Sequence, residues 1–472
     1  MEALRQHAVV IGGSMTGMLT AQVLTHHYAK VTIIERDQLP DEAEIRDGAP
    51  QARHLHVLLA KGLEIVEKLL PGIEAEMVAH GATTQFWGRD TTMYMERGWM
   101  PSFESEMKTH GISRVLLEWL VRKRIRANTK ITIMERTVVK QLLTNDSRQQ
   151  VTGVEIQPKG TMTTSTIHAD LVIDASGRGS NAAEWLTSFG YEQVTETVVN
   201  SFLGYATRRY KRPANFPAHL KMITIQSLPP VHLSGGVIME VENGECLVTV
   251  AGVNKNYPPT DEAGFVEFVR TLLSPVIYDL IRDAEPLSKV YGYQRTENRI
   301  RHYERFTRWP DGFIVLGDAA CAFNPIYGQG MTTGAMEADD LGKLLDEYKG
   351  RDQTGMAKAF QKRLAKLIET PWLMATSEDL RYPATEGAAP NWRIRLVQQY
   401  IQRIIAIMPD HPEAADVFLH VMNLVQPPTQ LFRPSLLVKV LGSLLTKKKT
   451  AQNHTAIPAA LSQPHTSSSL RR

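Results

Sequence analysis

Cysteine is nearly absent. Cys246 and Cys321 are the only two in 472 residues, too few for a disulfide framework, and this fits a reducing compartment, the cytoplasm. No C-x-x-C or H-E-x-x-H spacing occurs, so no metal centre is expected. No run of about 18 apolar residues occurs, which argues against a membrane span. The chain opens almost directly into a strand pattern at Ala8–Ile11, so no apolar core of a signal peptide is expected. Charge of one sign is also lacking. Lys and Arg number 53 against 50 Asp and Glu, a net charge of +3, which gives no bulk attraction to nucleic acid. No repeat of solenoid period is visible, and no Ser-His-Asp or paired-carboxylate constellation stands out. What remains, 43% apolar and 22% charged residues, is a globular chain too long for one small domain.

Glycine is present where it carries information. Ala8-Val9-Val10-Ile11 reads as a buried strand, Gly12-Gly13-Ser14-Met15-Thr16-Gly17 follows, and an apolar helical stretch runs from Met18 to Leu24. A second strand, Val31–Ile34, ends in Glu35 and Arg36. This is a dinucleotide-binding arrangement: a tight turn, phosphate at a helix N-terminus, and an acid about 20 residues on for the ribose. Ser14 holds the second glycine position; it is small and keeps its N–H. A second strand–glycine–helix passage begins at Gly312–Leu316. It continues as Gly317-Asp318-Ala319-Ala320-Cys321-Ala322-Phe323-Asn324-Pro325-Ile326-Tyr327-Gly328-Gln329-Gly330. An acid at a strand end can accept hydrogen bonds from sugar hydroxyls, and a glycine turn before a helix offers bare N–H groups. The plainer alternatives are a solvated acid for Glu35 and an N-cap for Asp318.

Residues 83–105 are dense in Phe86, Trp87, Met93, Tyr94, Trp99 and Phe103 among Thr and Gly, which suits a pocket wall as well as a core. From about 198 to 255 apolar and polar residues alternate, Met222 among them, as in an antiparallel sheet. Helical patterning follows from about 334 to 446, and a polar tail without large apolar groups is expected to be disordered.

Together the two glycine motifs resemble flavoprotein monooxygenases of the p-hydroxybenzoate hydroxylase fold, and the match follows most of the chain in order. The resemblance implies an α/β protein. Its Rossmann-like FAD-binding domain is expected over 1–80, 106–190 and 290–370, and a mixed or antiparallel β-sheet substrate domain over 81–105 and 191–289. A C-terminal helical region is expected over 371–448 and a disordered tail over 449–472. It implies that Gly12, Gly13, Ser14, Met15, Thr16, Gly17, Glu35 and Arg36 hold the ADP half of FAD, and Asp318 the ribityl chain. Pro325, Gly328 and Gly330 would lie beside the flavin ring, Met331 and Thr332 would also contact the cofactor, and Arg53 and Arg114 would approach the ring. Asp170–Ser180 falls where the family carries its Asp-Gly motif, although its core reads Ala175-Ser176-Gly177. Cys321 and Thr332 replace a usual His and Asn.

These departures, with the Pro50–His56 block and Thr376–Pro383, look like the bacterial polyether-type epoxidase branch. The implied reaction is insertion of one oxygen atom through a flavin C4a-hydroperoxide into an apolar polyene or polyketide-like substrate, as an epoxide. Aromatic hydroxylation and polyprenyl reduction or dehydrogenation are the alternatives. NADPH or NADH would supply electrons, directly or through a flavin reductase. Phe86, Trp87, Met93, Tyr94, Trp99, Phe103 and Met222 would line the substrate pocket. No side chain is assigned a catalytic role, because the chemistry belongs to the cofactor. The W-x-W-x-I-P pattern of flavin halogenases is absent. His54 and His56 are read as structural hydrogen-bonding groups and Cys321 as a small buried hydrophobe. Leu436–Leu445 followed by Lys447–Lys449 suits peripheral contact with an anionic membrane surface; the plainer reading, a helix packed on the body, is preferred.

Overall fold

The computed structural model describes residues 5–445; the expected disordered tail and Lys447–Lys449 lie outside them. Four apolar runs and Ile131–Met134 form a five-stranded parallel sheet in the order Phe313–Val315, Leu171–Asp174, Arg5–Ile11, Tyr28–Ile34, Ile131–Met134. Val9, Val10, Ile33, Val172, Ile173 and Ile314 are completely buried in it. Each such side chain contributes roughly 1.5–3 kcal/mol on leaving water. Runs that are apolar on both faces require helices on both faces, which leaves the strand ends free to bind ligands. The register brings those ends level. Ile11 pairs with Ile34 and with Asp174, and Asp174 pairs with Val315. Gly12, Glu35, Ala175 and Leu316 therefore emerge side by side at one edge, the usual ligand edge of a doubly wound sheet.

Helix α1 (Met15–Leu24), helix α2 (Arg114–Ala127) and helix α3 (Gly330–Glu347) pack around this sheet. A seven-stranded sheet stands beside it, in the order Tyr291–Tyr293, Gly204–Lys211, Glu245–Gly252, Ser234–Val241, Met222–Ile225, Thr91–Met95, Gly98–Trp99. It is antiparallel except where Met222–Ile225 runs parallel to Thr91–Met95, because that strand arrives from a distant part of the chain.

Helix α4 (Met356–Asp379) runs unbroken through Pro371. The division expected at 370/371 therefore falls inside one helix, and α4 carries its last residue, Asp379, from the parallel sheet to the second glycine motif. Helices α5 (Trp392–Ile407), α6 (Pro412–Met422) and α7 (Pro434–Leu445) follow. Their inner residues Ile404, Ile407, Phe418, Leu436 and Val440 join Met95, Met100, Met107, Met222 and Met239 in one buried cluster. α7 is thus packed on the body, as preferred above. Among the described residues no helix is long and apolar enough to cross a membrane.

Candidate active site

The first glycine turn is constrained by contact, not by composition. Gly12 has φ +104°, and a Cβ there would lie 2.5 Å from the carbonyl oxygen of Ala175, so a side chain is excluded both by strain and by space. Gly13 N–H donates to Glu35 Oε2 at 2.7 Å and Asp37 N–H to Oε1 at 2.9 Å. Glu35 is thus drawn back to the turn rather than into solvent, and Arg36 is exposed just beyond it. Ser14 does not cap α1 with its side chain. Its hydroxyl instead accepts a hydrogen bond from Arg46 Nη2, which leaves the positive end of α1 facing the turn.

Arg46 was not foreseen. It is 8% exposed and reaches three carboxylates: Asp37 at 2.9 Å, Glu118 at 3.0 Å and Glu35 at 3.6 Å. Burial opposes its charge, but Glu118, Glu35 and Asp37 outweigh burial and raise its pKa. Arg114, at the start of α2, donates from Nε to the other oxygen of Glu118 at 3.0 Å. Its side chain is held along the helix through Glu118 to Arg46 and the glycine turn. No local pattern marks Arg46, because its partner Glu118 is 72 residues away.

At the second motif, the Gly317 N–H is accepted by Glu337 of α3. Glu337 is 1% exposed, and burial pushes its carboxyl up to about 8 against the opposing Gly317 hydrogen bond. Asp318 opens to the cleft, its side chain 41% exposed and 4.0 Å from Arg178 Nε. Surrounding protein raises its pKa, while Arg178 and Arg114 pull it down. Gln329 precedes α3, which no side chain caps. It is 2% exposed, and both its amide oxygen and its amide nitrogen are buried without a partner. Such groups are rare and costly unless a ligand completes them.

The loop Pro325–Tyr327 is held from beneath by Asp379. Its carboxylate accepts from Tyr327 Oη at 2.7 Å, Asn298 Nδ2 at 2.6 Å and Asn324 Nδ2 at 3.2 Å. No cation is among these partners, and burial raises its pKa to about 6 although the donors lower it. Pro325 and Gly328 bracket this loop, and Met331 and Thr332 follow in the first turn of α3, both buried; Thr332 Oγ1 accepts from Leu59 N–H at 3.2 Å.

The Arg53 block leads into Val57, whose carbonyl oxygen a Cβ on Gly328 would meet at 3.6 Å, and so forms a wall beside this loop. Arg53 lies over the Tyr291 ring at 4.7 Å. His54 Nδ1 is hydrogen-bonded to Thr207 Oγ1 at 2.8 Å, which continues to Thr249 Oγ1 at 2.7 Å. This matches the structural role expected for His54. Burial, then Arg53, depresses its pKa to about 4, and burial, then Arg114, depresses that of His56 to about 3. Both are neutral imidazoles at ordinary pH.

Of the seven residues expected to line one pocket, six divide between two buried cores and one belongs to neither. Trp87 and Met222 are buried in the methionine-rich cluster under the C-terminal helices, with Met93 and Phe103 packed on it. Trp99 belongs to the core on the other side of the sheet, with Tyr94 against it and their rings 5.1 Å apart. Strand alternation is the reason: Met93 and Met95 share one face, and Tyr94 turns to the other. Phe86 stands apart, its ring covered by Arg89 at 4.2 Å. Tyr94 and Trp99 therefore face a different core from Trp87 and Met222, and Phe86 belongs to neither.

A family profile described as "FAD binding domain" matches residues 5–368. The chain belongs to that family. It is a flavoenzyme of the FAD-dependent monooxygenase superfamily. It is 29% identical to Protein Rv3254 of Mycobacterium tuberculosis over 89% of this chain and 90% of that one. It is 24% identical to the kynurenine 3-monooxygenase of Salinispora tropica over 85% and 87%. The flavin-dependent halogenase CmlS has a similar fold, with a TM-score of 0.65 at 17% identity over 94% of this chain and 78% of that one. The residues present fit FAD. The uncapped N-terminus of α1 suits the phosphates, Asp318 suits sugar-like hydroxyls, and the unpaired Gln329 amide and the uncapped start of α3 suit the polar edge of the ring.

Proposed function

We propose that this flavoenzyme inserts one oxygen atom from O2 into an apolar polyene or polyketide-like substrate, as an epoxide. The observation that carries this reading is that the imidazoles and phenols gathered at the Arg53 block, where the Tyr205 and Tyr293 rings lie 4.7 and 6.1 Å from His54, are poor bases at ordinary pH. His54 and His56 are held neutral and weakly basic by burial, and burial raises the phenols of Tyr205 and Tyr293 above their ordinary range. Phenol hydroxylation benefits from a base that takes the phenolic proton, whose ordinary pKa is about 10. An alkene has no such proton to lose. Met93, Met95, Met100 and Met222 belong to the apolar cluster against which Leu55 and Val57 pack, and methionine side chains adapt readily to long hydrocarbon shapes.

Bound FAD supplies the oxygen chemistry. The chain binds and orients. Arg46 and Glu35 set the first turn, Asp318 and Gln329 anchor the cofactor, and Asp379 holds the loop beside the ring. The Arg53–His56 wall and the methionine layer exclude water from the reacting face. NADPH or NADH is the electron source, directly or through a separate reductase. Ser176 within the altered Asp-Gly segment and the single dinucleotide fingerprint support slow reduction by NADPH alone.

Aromatic hydroxylation is the second reading, favoured by the similarity to kynurenine 3-monooxygenase along most of the chain. The deciding experiment incubates holoenzyme, reductant and 18O2 with long alkenes and with phenols, followed by mass spectrometry. Labelled epoxide is expected. Label confined to phenol products selects hydroxylation, and unlabelled products saturated or desaturated at carbon refute oxygen insertion.

A further inference from the structure

We propose that the outer face of α5 and α7 docks on a bilayer of anionic phospholipid. The inner face of each helix is already used, since Ile404, Ile407, Leu436 and Val440 are buried. The outer face is apolar as well. Trp392 is 67% exposed, Leu396 55%, Val438 69% and Leu441 60%. The two helices pack on each other, and α5 is also tied to the turn just before α7: the Tyr400 and Phe432 rings stack 4.7 Å apart, and Tyr400 Oη donates to the Leu431 carbonyl. Exposed tryptophan, leucine and valine on adjoining helices form a patch that a free surface rarely carries.

Charge selects the occupant. α5 contains Arg393, Arg395 and Arg403 and no acid, and α7 contains Lys439 and no acid. Among the described residues, Lys439 pairs with Glu413, whereas none of the three arginines makes an ion pair. Arg393 lies over the Trp392 ring at 5.4 Å, an arrangement that places a cation beside an aromatic group suited to the interface between headgroups and acyl chains. A second copy of this chain would bring like charge against like. Anionic headgroups complement the arginines, and the acyl boundary accepts the apolar side chains. Such a surface would let an apolar substrate pass from the bilayer to the methionine-rich layer beneath the same helices, without the enzyme spanning the membrane.

The test is co-sedimentation of the full-length holoenzyme with vesicles of phosphatidylcholine, with and without phosphatidylglycerol. Binding is expected with the anionic vesicles, weakened by salt. Each of Arg393→Gln, Arg395→Gln and Arg403→Gln should weaken it about fivefold, the usual effect of one basic residue at an anionic surface. The pair Trp392→Ser and Leu396→Ser should abolish it, with FAD content and circular dichroism unchanged because these side chains are exposed. Absence of sedimentation with anionic vesicles, or binding unaltered by both sets of substitutions, would overturn the proposal. So would a dimer, seen by sedimentation velocity, that Trp392→Ser and Leu396→Ser dissolve. Flavin content and 18O incorporation are read separately, so vesicle binding and the oxygenase reading can fail independently.

Discussion

Asp379 offers a quantitative test of how the second motif is held. Three side-chain donors meet this buried carboxylate, from Tyr327, Asn298 and Asn324. Hydrogen bonds to a charged group contribute about 1.5–3 kcal/mol each, so the three sum to roughly 5–9 kcal/mol. Burial offsets part of this. The rise of its pKa from 3.8 to about 6 corresponds to about 3 kcal/mol. Asp379→Ala should therefore destabilise the fold by roughly 2–6 kcal/mol, and Tyr327→Phe by about 1.5–3 kcal/mol. Because Asn324 also accepts from Ile326 N–H, the loop beside the ring should loosen, and FAD should bind about tenfold more weakly.

The pH dependence has a definite sign. The unfolded carboxyl loses its proton near 3.8 and the folded one near 6, so the folded state holds more protons between these values. This contribution to stability is full below the lower value and is lost as pH rises through the upper one. Asp379→Asn should remove about 3 kcal/mol of that slope. Urea unfolding across this range, with FAD affinity by fluorescence, measures both effects. Wild-type stability and FAD affinity in Asp379→Ala, or an unchanged slope in Asp379→Asn, would refute the reasoning.

Two further outcomes are expected. Arg46→Met leaves Glu35, Asp37 and Glu118 without their shared cation and should cost about 3–5 kcal/mol; denaturant unfolding checks it, and Glu118→Gln in the same chain should restore part of the loss. Glu337, raised from 4.5 to about 8, also contributes stability that is full at low pH and is lost as pH rises through about 8. Glu337→Gln keeps an acceptor for Gly317 N–H and should flatten this dependence by on the order of 5 kcal/mol; unfolding followed against pH would show an unaltered curve if the carboxyl is not the cause.

The cofactor motifs were legible because each is written within a short stretch. Strand, glycine turn and helix are contiguous at 8–24 and again at 312–341, and steric rules act locally on such a passage. The parallel sheet could be anticipated from runs apolar on both faces. Arg46 could not, since nothing near it in sequence resembles a site until Glu118 folds against it. Asp379 was visible as part of a conspicuous segment, Thr376–Pro383, but without a role, because its donors lie 52 to 81 residues away.

The amino-acid order alone determined which backbone segments make the tight turns at the strand ends, because glycine permits what a Cβ forbids. Tertiary structure decided which side chains face the same space. The aromatic run at 86–103 reads as one group in sequence, yet strand alternation sends Tyr94 and Trp99 to one core and Met93 to another. Pairing of buried charges was decided the same way: Arg46 with Glu118, and Asp379 with Asn298. A buried ion or carboxylate is tolerated only where partners converge in three dimensions, and convergence across tens of residues is a property of the packed fold, not of any stretch of sequence.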